Sequence, residues 1–506
     1  MLTRKVRWDF SADVIVVGYG AAGAVAAITA RDGGAQVVIL EKQENEKLVT
    51  TSYMSGGQII CPSDREESER YMKALARVTD EVYWTDPEVI SVWASYSIEN
   101  RRWLEKMGIG DIRLSRHGGE HRLPGFESID TYQIPGMGPG LMRELYRQVD
   151  LRGVPVEHGL AAHGLLLDGR GGVMGVRAQR RAADGKPVNV EARRAVVLTT
   201  GGFEFNEQMK LQYLRVYPSY FTGSPANTGD GVKIAADAGA QLWHMNCCSA
   251  RLVMKFAQVE SAFTPTFGGV DWRSPGGTVL EAELASGPKS VIGYVVVDRF
   301  GRRYMNENFK GHSIYYDLAG FDSQQLLFPR VPSYWVFDSK RMGAGPIALR
   351  RSGPAGPAQF YRWSADNDEE VGRGWIKQGK NIEELARELG MKQGTLAGTV
   401  AEYNVACTNG TDTKFSRQPH TMAPLDSPPF YAVALWPGGP NTQGGPRRNR
   451  RAQILRSDGS PVPRLYGAGE LGSIYGMLYP SSGGNLAECV AFGRIAGENA
   501  SLEKPR

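Results

Sequence analysis

The sequence predicts an α/β fold in which a parallel sheet is split along the chain and a second, α+β domain is inserted between its two parts. Three observations predict it. The run 13-DVIVVGYGAAGAVAAITARDGGAQVVILEK-42 reads as strand, glycine turn, Ala-rich helix and second strand. The stretch 195-AVVLTTGGFEFN-206 is another apolar strand ending in glycines. The same texture returns near the C-terminus, at 464-RLYGAGELG-472 and 484-GNLAECVAFGRIAGENA-500, the latter expected as an amphipathic helix.

The elements follow in order. In the first unit Gly18, Gly20 and Gly23 fit GxGxxG, the spacing that allows a tight turn, backbone approach to a pyrophosphate and close helix packing. Glu41 closes the second strand, where a carboxylate accepts from ribose hydroxyls and disfavours a 2′-phosphate. Strand, turn, helix and acid stand in register, so a Rossmann-like dinucleotide-binding domain is expected. Helices are expected near 83–107 and 138–149, and paired strands within 162–178. From about 240 to 425 scattered prolines and aromatics, with an amphipathic helix at 382–404, mark the insert. The expected domains are therefore 1–240, 241–425 and 426–506, the first and last belonging together. There is no internal repeat.

A chain of 506 residues is too long for one core. A net charge of +5, spread along the chain, excludes a nucleic-acid partner, so a small molecule is expected. The one basic run, 447-RRNRR-451, reads as a solvated loop. Five cysteines without metal spacing (Cys61, Cys247, Cys248, Cys407, Cys489) point to a reduced, cytoplasmic protein with no metal, and the adjacent Cys247 and Cys248 to buried thiols. The apolar run before GYG is too short to span a membrane.

A second helix N-terminus is signalled at 479-YPSSGGNLAECVAFGRIAG-497. A glycine pair there lets unpaired N–H groups reach a ligand's polar edge, which suits the carbonyl oxygens of a flavin ring.

These segments, in this order, resemble the flavoprotein family containing fumarate reductase and succinate dehydrogenase flavoprotein subunits and the 3-ketosteroid dehydrogenases. The resemblance rests on DVIVVGYGAAG, SGGQ at 55, VVLTTGGFEFN, NTGDG at 227, GRRYMNEN at 301, NTQGG at 441, LYGAGELG and GGNLAECVAFGRIAG. It implies FAD held by the split domain, with a mobile cap inserted and substrate held at their interface. The cofactor contacts it implies fall on Gly18, Gly20, Ala22, Gly23, Glu41, Lys42, Ser55, Gly56, Gly57, Thr200, Gly201, Asp230, Gly469, Glu470, Asn485 and Leu486. Ser55 and Thr200 equally suit a role in shaping turns. No histidine stands in 50-TTSYMSGG-57 for covalent attachment, so FAD is expected to be noncovalent.

The arginines and histidines with which fumarate-type members clamp dicarboxylates are absent: Asn441, the stretch Tyr479–Ser482 and Gly311 stand in their places. Tyr479-Pro480-x-x-Gly483 is instead similar to the ketosteroid 1-dehydrogenase motif, in which tyrosine hydroxyl and glycine N–H hold a keto oxygen. Two donors polarise the carbonyl and acidify the adjacent C–H. The expected function is dehydrogenation, or the reverse reduction, of a CH–CH bond beside a ketone, with steroid-like ketones leading. The family's tyrosine base is missing after the NE pair, where Phe309 and Gly311 stand; His312, Tyr315 and Tyr316 are the nearby groups able to move a proton. His117, His121 and Tyr132 are expected in a loop bordering the pocket, and His244 as structural. Two alternatives stay open: reduction of an unsaturated acid held by Arg447 or Arg448, and a flavin-binding protein without turnover. No second dinucleotide motif is present, so electrons are expected to pass through a separate carrier.

Overall fold

The computed structural model describes residues 6–181, 185–267, 292–307, 312–348 and 360–506. The chain divides into two compact units, Met1–Leu214 with Ser224–Ser249 and Asn441–Arg506, and Arg215–Gly223 with Ala250–Pro440.

The first unit is built on strand β1 (Phe10–Val17), helix α1 (Ala21–Asp32) and strand β2 (Val37–Leu40). β1 pairs in parallel with β2 on one side and with the strand Pro187–Leu198 on the other, in the register Val17↔Leu40 and Val17↔Leu198. The strand Pro461–Gly467 extends the sheet in parallel beyond Pro187–Leu198, and Val156–Glu157 extends it beyond β2. The hairpin Leu160–Leu167 and Val173–Arg180 joins it antiparallel, as expected from 162–178. Val14, Ile15 and Val16 are fully buried because both faces of the sheet are covered, and each such side chain contributes about 1.5–3 kcal/mol.

α1 packs on the C-terminal helix Gly484–Leu502. Small residues set that distance, since a Cβ on Gly493 would lie 2.9 Å from Val25 Cβ and one on Gly497 would lie 2.5 Å from Ala26 O. This helix is buried on every side from Gly484 to Gly497, including Glu488 and Arg494, rather than amphipathic. The apolar stripe in the sequence is real, but α1 on one flank and Pro87–Ser97 on another enclose its polar side as well. The 83–107 region forms two helices, Pro87–Ser97 and Asn100–Lys106, and the 138–149 region forms Met137–Leu151.

The second unit holds the antiparallel strands Tyr294–Val297, Ser333–Asp338 and the greater part of Phe430–Thr442. An aromatic core fills one side, with Phe256 stacked on Trp375 at 4.2 Å and Trp335 and Trp363 fully buried. The helix expected at 382–404 is two helices, Ile382–Glu388 and Gln393–Asn409. Gly390 at φ +67° breaks the run between them. Glu307 of the NE pair is enclosed by Arg303 at 2.6 Å and Arg417 at 3.3 Å, and Arg303 also holds Asp412 at 2.8 Å. Glu307 therefore anchors the unit's ion-pair core.

Candidate functional site: a dinucleotide cleft and a second helix terminus

Three glycines at the end of β1 do three different jobs. Gly18 has φ +102°, and a Cβ on it would lie 2.6 Å from Thr199 O, so the turn itself demands glycine. A Cβ on Gly23 would lie 2.0 Å from Gly18 O, so helix-to-strand packing demands it. Gly20 has φ −79° and its Cβ would meet only Ser52 Oγ, at an ordinary 3.6 Å. Nothing in the protein requires glycine there; the space it leaves opens into a cleft.

That cleft, about 740 Å³ with the solvent at its mouth, sits at the C-terminal ends of the parallel strands, where α/β sheets bind nucleotides. Of the expected cofactor residues, Gly18, Gly20, Ala22, Glu41, Lys42, Thr200, Gly201, Asp230, Gly469 and Glu470 line it. Gly23, Ser55, Gly56, Gly57, Asn485 and Leu486 do not. Gly57 is pressed on Met137 with φ +64°, Ser55 Oγ donates to Ser52 O at 2.7 Å, and the Gly56 carbonyl accepts from Gln133 Nε2 at 2.9 Å. Leu486 is buried in the core, and Asn485 exchanges two 3.1 Å side-chain bonds with Gln443.

The lining chemistry fits a dinucleotide. α1 begins with no side-chain cap, and of its first N–H groups Ala21 N donates to Ser52 Oγ at 3.1 Å, so the helix end offers donors to an anion. Glu41 accepts from Tyr19 N at 2.9 Å and Gln43 N at 2.8 Å, bonds that fix the carboxylate and leave lone pairs for ribose hydroxyls. Thr200 Oγ1 is buried and has no protein partner. Lys42 is tied to Asp230 at 2.6 Å and Thr228 at 2.8 Å. Ser52, Asn227 and Cys489 also line the cleft and were not singled out in the sequence; only their closeness to SGGQ, NTGDG and GGNLAE pointed to them.

The second helix terminus answers why glycines and a tyrosine stand together. Gly483 caps the helix with φ +87°, and a Cβ there would lie 2.5 Å from Gln58 C. A Cβ on Gly484 would lie 2.9 Å from Tyr479 Cζ, so the second glycine makes room for the ring. The Tyr479 oxygen accepts from Asn485 N at 2.7 Å, a bond that does not consume the hydroxyl's own proton. Tyr475 flanks it, rings 5.3 Å apart, and donates to Gly484 O at 2.8 Å. The His117–Gly125 loop closes on the same turn: Glu120 N and Tyr71 Oη both donate to Pro480 O at 2.9 Å, and His121 N donates to Tyr71 Oη at 3.3 Å. Burial lowers the His121 imidazole, against the pull of the Tyr479 backbone. His117 is exposed beside Asp130 at 2.6 Å, and Tyr132 carries the Arg101 guanidinium over its ring at 5.2 Å.

The expected proton-moving residues belong to the second unit. His312 is buried, and Arg251 Nη2 lies 2.9 Å from its Nε2. A guanidinium can only donate, so Nε2 accepts and the ring proton sits on Nδ1. Tyr315 is fully buried, whereas Tyr316 is half-buried with the Arg215 guanidinium 5.3 Å from its ring centre. Phe309 and Gly311 lie outside the described residues.

Other expectations are settled by contacts. His244 is buried between Ser473 O and Trp84 O at 2.7 Å each, a structural position. Cys247 and Cys248 are both buried, as expected. The basic run is a solvated loop only at Arg450 and Arg451, which are exposed: Arg447 chelates Asp86 at 2.8 Å, and Arg448 is fully buried in an ion pair with Glu488. Neither guanidinium is available to hold a substrate carboxylate without giving up its partner. Among the described residues no His, Cys, Asp or Glu group could hold a metal, and no helix is long and apolar enough to cross a membrane.

The chain belongs to the FAD binding domain family, whose profile matches residues 13–486. It is an FAD-dependent oxidoreductase of that family. The chain is 26% identical to digoxin reductase of Eggerthella lenta, over 99% of this chain and 89% of the relative. It is 29% identical to 3-oxosteroid 1-dehydrogenase of Mycobacterium tuberculosis, over 72% of this chain and 62% of the relative. It is 27% identical to fumarate reductase (cytochrome) of Shewanella frigidimarina, over 97% and 77%. Its fold matches 3-ketosteroid Δ1-dehydrogenase of Sterolibacterium denitrificans, solved with 1,4-androstadiene-3,17-dione, with TM-score 0.80 and 21% identity over 97% of this chain and 99% of that one.

Proposed function

We propose that this flavoenzyme moves hydrogen across a CH–CH bond beside a ketone, on a steroid-like substrate. The observation that carries the reading is the seat of Tyr479 at the helix terminus beside Gly483, where its oxygen accepts from the Asn485 N–H at 2.7 Å. An N–H bond into a phenol oxygen makes that phenol a stronger donor, and Gly483 N–H at the same helix terminus is the second group assigned to the keto oxygen. Kinship with 3-oxosteroid 1-dehydrogenase supports the substrate class. The second unit, Arg215–Gly223 with Ala250–Pro440, is proposed as the cap that supplies the proton carrier.

Tyr479 and Gly483 polarise the ketone and acidify the C–H next to it. FAD, bound in the cleft lined by Gly18, Gly20, Glu41 and Glu470, would supply the hydride acceptor or donor for the neighbouring carbon. The proton from the acidified carbon is assigned to the His312–Tyr316 segment and within it to Tyr316, whose hydroxyl is buried and whose ring centre lies 5.3 Å from the Arg215 guanidinium. His312, whose Nε2 already accepts from Arg251, serves to fix that segment. The electron acceptor is a separate carrier.

Anaerobic stopped-flow reduction of the FAD by a saturated 3-ketosteroid tests the reading. Tyr479→Phe should slow flavin reduction on the order of 100-fold with FAD still bound. Unchanged kinetics would remove Tyr479 from the chemistry. No reduction by any ketone, with reduced enzyme reoxidised by an unsaturated acid, would move the assignment to a fumarate-type reductase. In the same assay Tyr316→Phe should cost about 100-fold or more, whereas His312→Asn should cost about tenfold. The reverse ranking would return the proton to His312.

A further inference from the structure

Glu204 and Glu470 stand on either side of one amide. Asn227 Nδ2 lies 3.2 Å from Glu204 Oε1 and 3.2 Å from Glu470 Oε2, and also 3.1 Å from Thr51 Oγ1. Glu204 is fully buried, and its other oxygen accepts from Thr442 Oγ1 at 3.2 Å. Glu470 lines the dinucleotide cleft. One NH₂ group has two hydrogens for three acceptors, and two carboxylates bridged this closely in a buried setting cannot both stay ionised.

We propose that Glu204 and Glu470 hold one proton between them through Asn227, so that Glu470 meets bound FAD as a neutral hydrogen-bond donor rather than as an anion. The logic lies in the cleft's other job. Its helix terminus is built to receive a pyrophosphate; Glu41 has two backbone N–H donors and Asp230 has Lys42, but Glu470 has only the Asn227 amide it shares with Glu204, so ionised it would repel that charge. A shared proton turns the repulsion into a donor, and makes Glu204, which does not line the cleft, a positioning residue for the cofactor.

The surrounding charges agree. Burial pushes Glu204 up to about 7, and burial with the charges of Glu204 and Glu488 raises Glu470 well above the carboxylate range. Lys210 faces Glu204 but is bonded to Glu207 at 2.8 Å. Arg448 faces Glu488, and the neighbouring Cys489 thiol is raised by burial and by the charges of Glu488 and Glu470. Lys42, at the cleft, is held by Asp230 at 2.6 Å. Lys210 is the one cation among these that pulls Glu204 down, and burial outweighs it.

The test measures FAD dissociation constants from about pH 6.5 to about 9.5 by flavin fluorescence, and so stands apart from the ketone assignment. Wild-type affinity should be level near neutrality and weaken by about tenfold per pH unit once the shared proton is lost. Glu470→Gln, a permanent neutral donor, should show an affinity that does not change with pH across this range. Glu204→Gln removes the like charge, so Glu470 ionises more easily and the weakening should begin at lower pH. A flat wild-type profile, a wild-type slope in Glu470→Gln, or an unshifted profile in folded Glu204→Gln would overturn the proposal; if Glu204→Gln fails to fold, the Glu470→Gln profile decides.

Discussion

Replacing Arg448 with leucine should lower the unfolding free energy by about 3–5 kcal/mol, the largest stability effect of any single change outside the glycine turns. Arg448 and Glu488 are both fully enclosed, and the guanidinium also lies over the Phe492 ring at 4.6 Å. Removing the cation leaves Glu488 buried without a counter-charge. The cost should depend on pH in a determined direction. Burial already pushes the Glu488 carboxyl up to about 7, with Arg448 pulling it down, so losing Arg448 raises it further. A group whose folded pKa is raised contributes stability below its unfolded value and loses it as pH climbs through the folded one. The gap to wild type should therefore open only above about pH 7 and keep widening as the pH rises further, in urea titrations. Arg448→Leu with Glu488→Leu should recover most of the loss, because neither charge is then buried. Equal costs for the single and double variants would show that the pair is not what holds this helix.

Much of this architecture was legible in the residues because the relevant signals are local. The β1–α1–β2 unit announces itself through β-branched runs and glycine spacing, and ten of the sixteen expected cofactor residues line one cleft. What the sequence did not show depends on long-range enclosure. The helix Gly484–Leu502 reads as amphipathic, yet Glu488 is buried because Arg448, forty residues earlier, reaches it. For the same reason 447-RRNRR-451 looked like a solvated loop: the partners of Arg447 and Arg448 lie far away in sequence, at Asp86 and Glu488. The Glu204–Asn227–Glu470 bridge is equally silent, since its members come from three separate turns that only the sheet order brings together. Tyr479 was legible as a motif, but the Asn485 N–H that grips its oxygen is a backbone group and leaves no mark in side-chain identity.

Gly20→Val should abolish useful FAD binding without unfolding the protein, with the dissociation constant rising on the order of 100-fold. The effect is steric and separates ligand from scaffold. At φ −79° and ψ −173° the backbone of Gly20 accepts any L-residue, and its Cβ would touch only Ser52 Oγ at 3.6 Å. A valine there thrusts its methyl groups into the cleft at the point where the α1 N-terminus must approach a pyrophosphate, which removes the close N–H contacts. Gly23→Val provides the contrast, because its Cβ would fall 2.0 Å from Gly18 O and drive α1 off the sheet, so this variant should be poorly folded with or without cofactor. The measurement is paired: thermal unfolding of each variant stripped of flavin, and FAD titration of whatever folds. A Gly20→Val protein that unfolds with wild-type cooperativity and remains colourless places the pyrophosphate at that helix end. One that still binds FAD at wild-type affinity would move the phosphates elsewhere along the cleft, toward Lys42 and Asp230, and would leave Gly20 without a reason to be glycine.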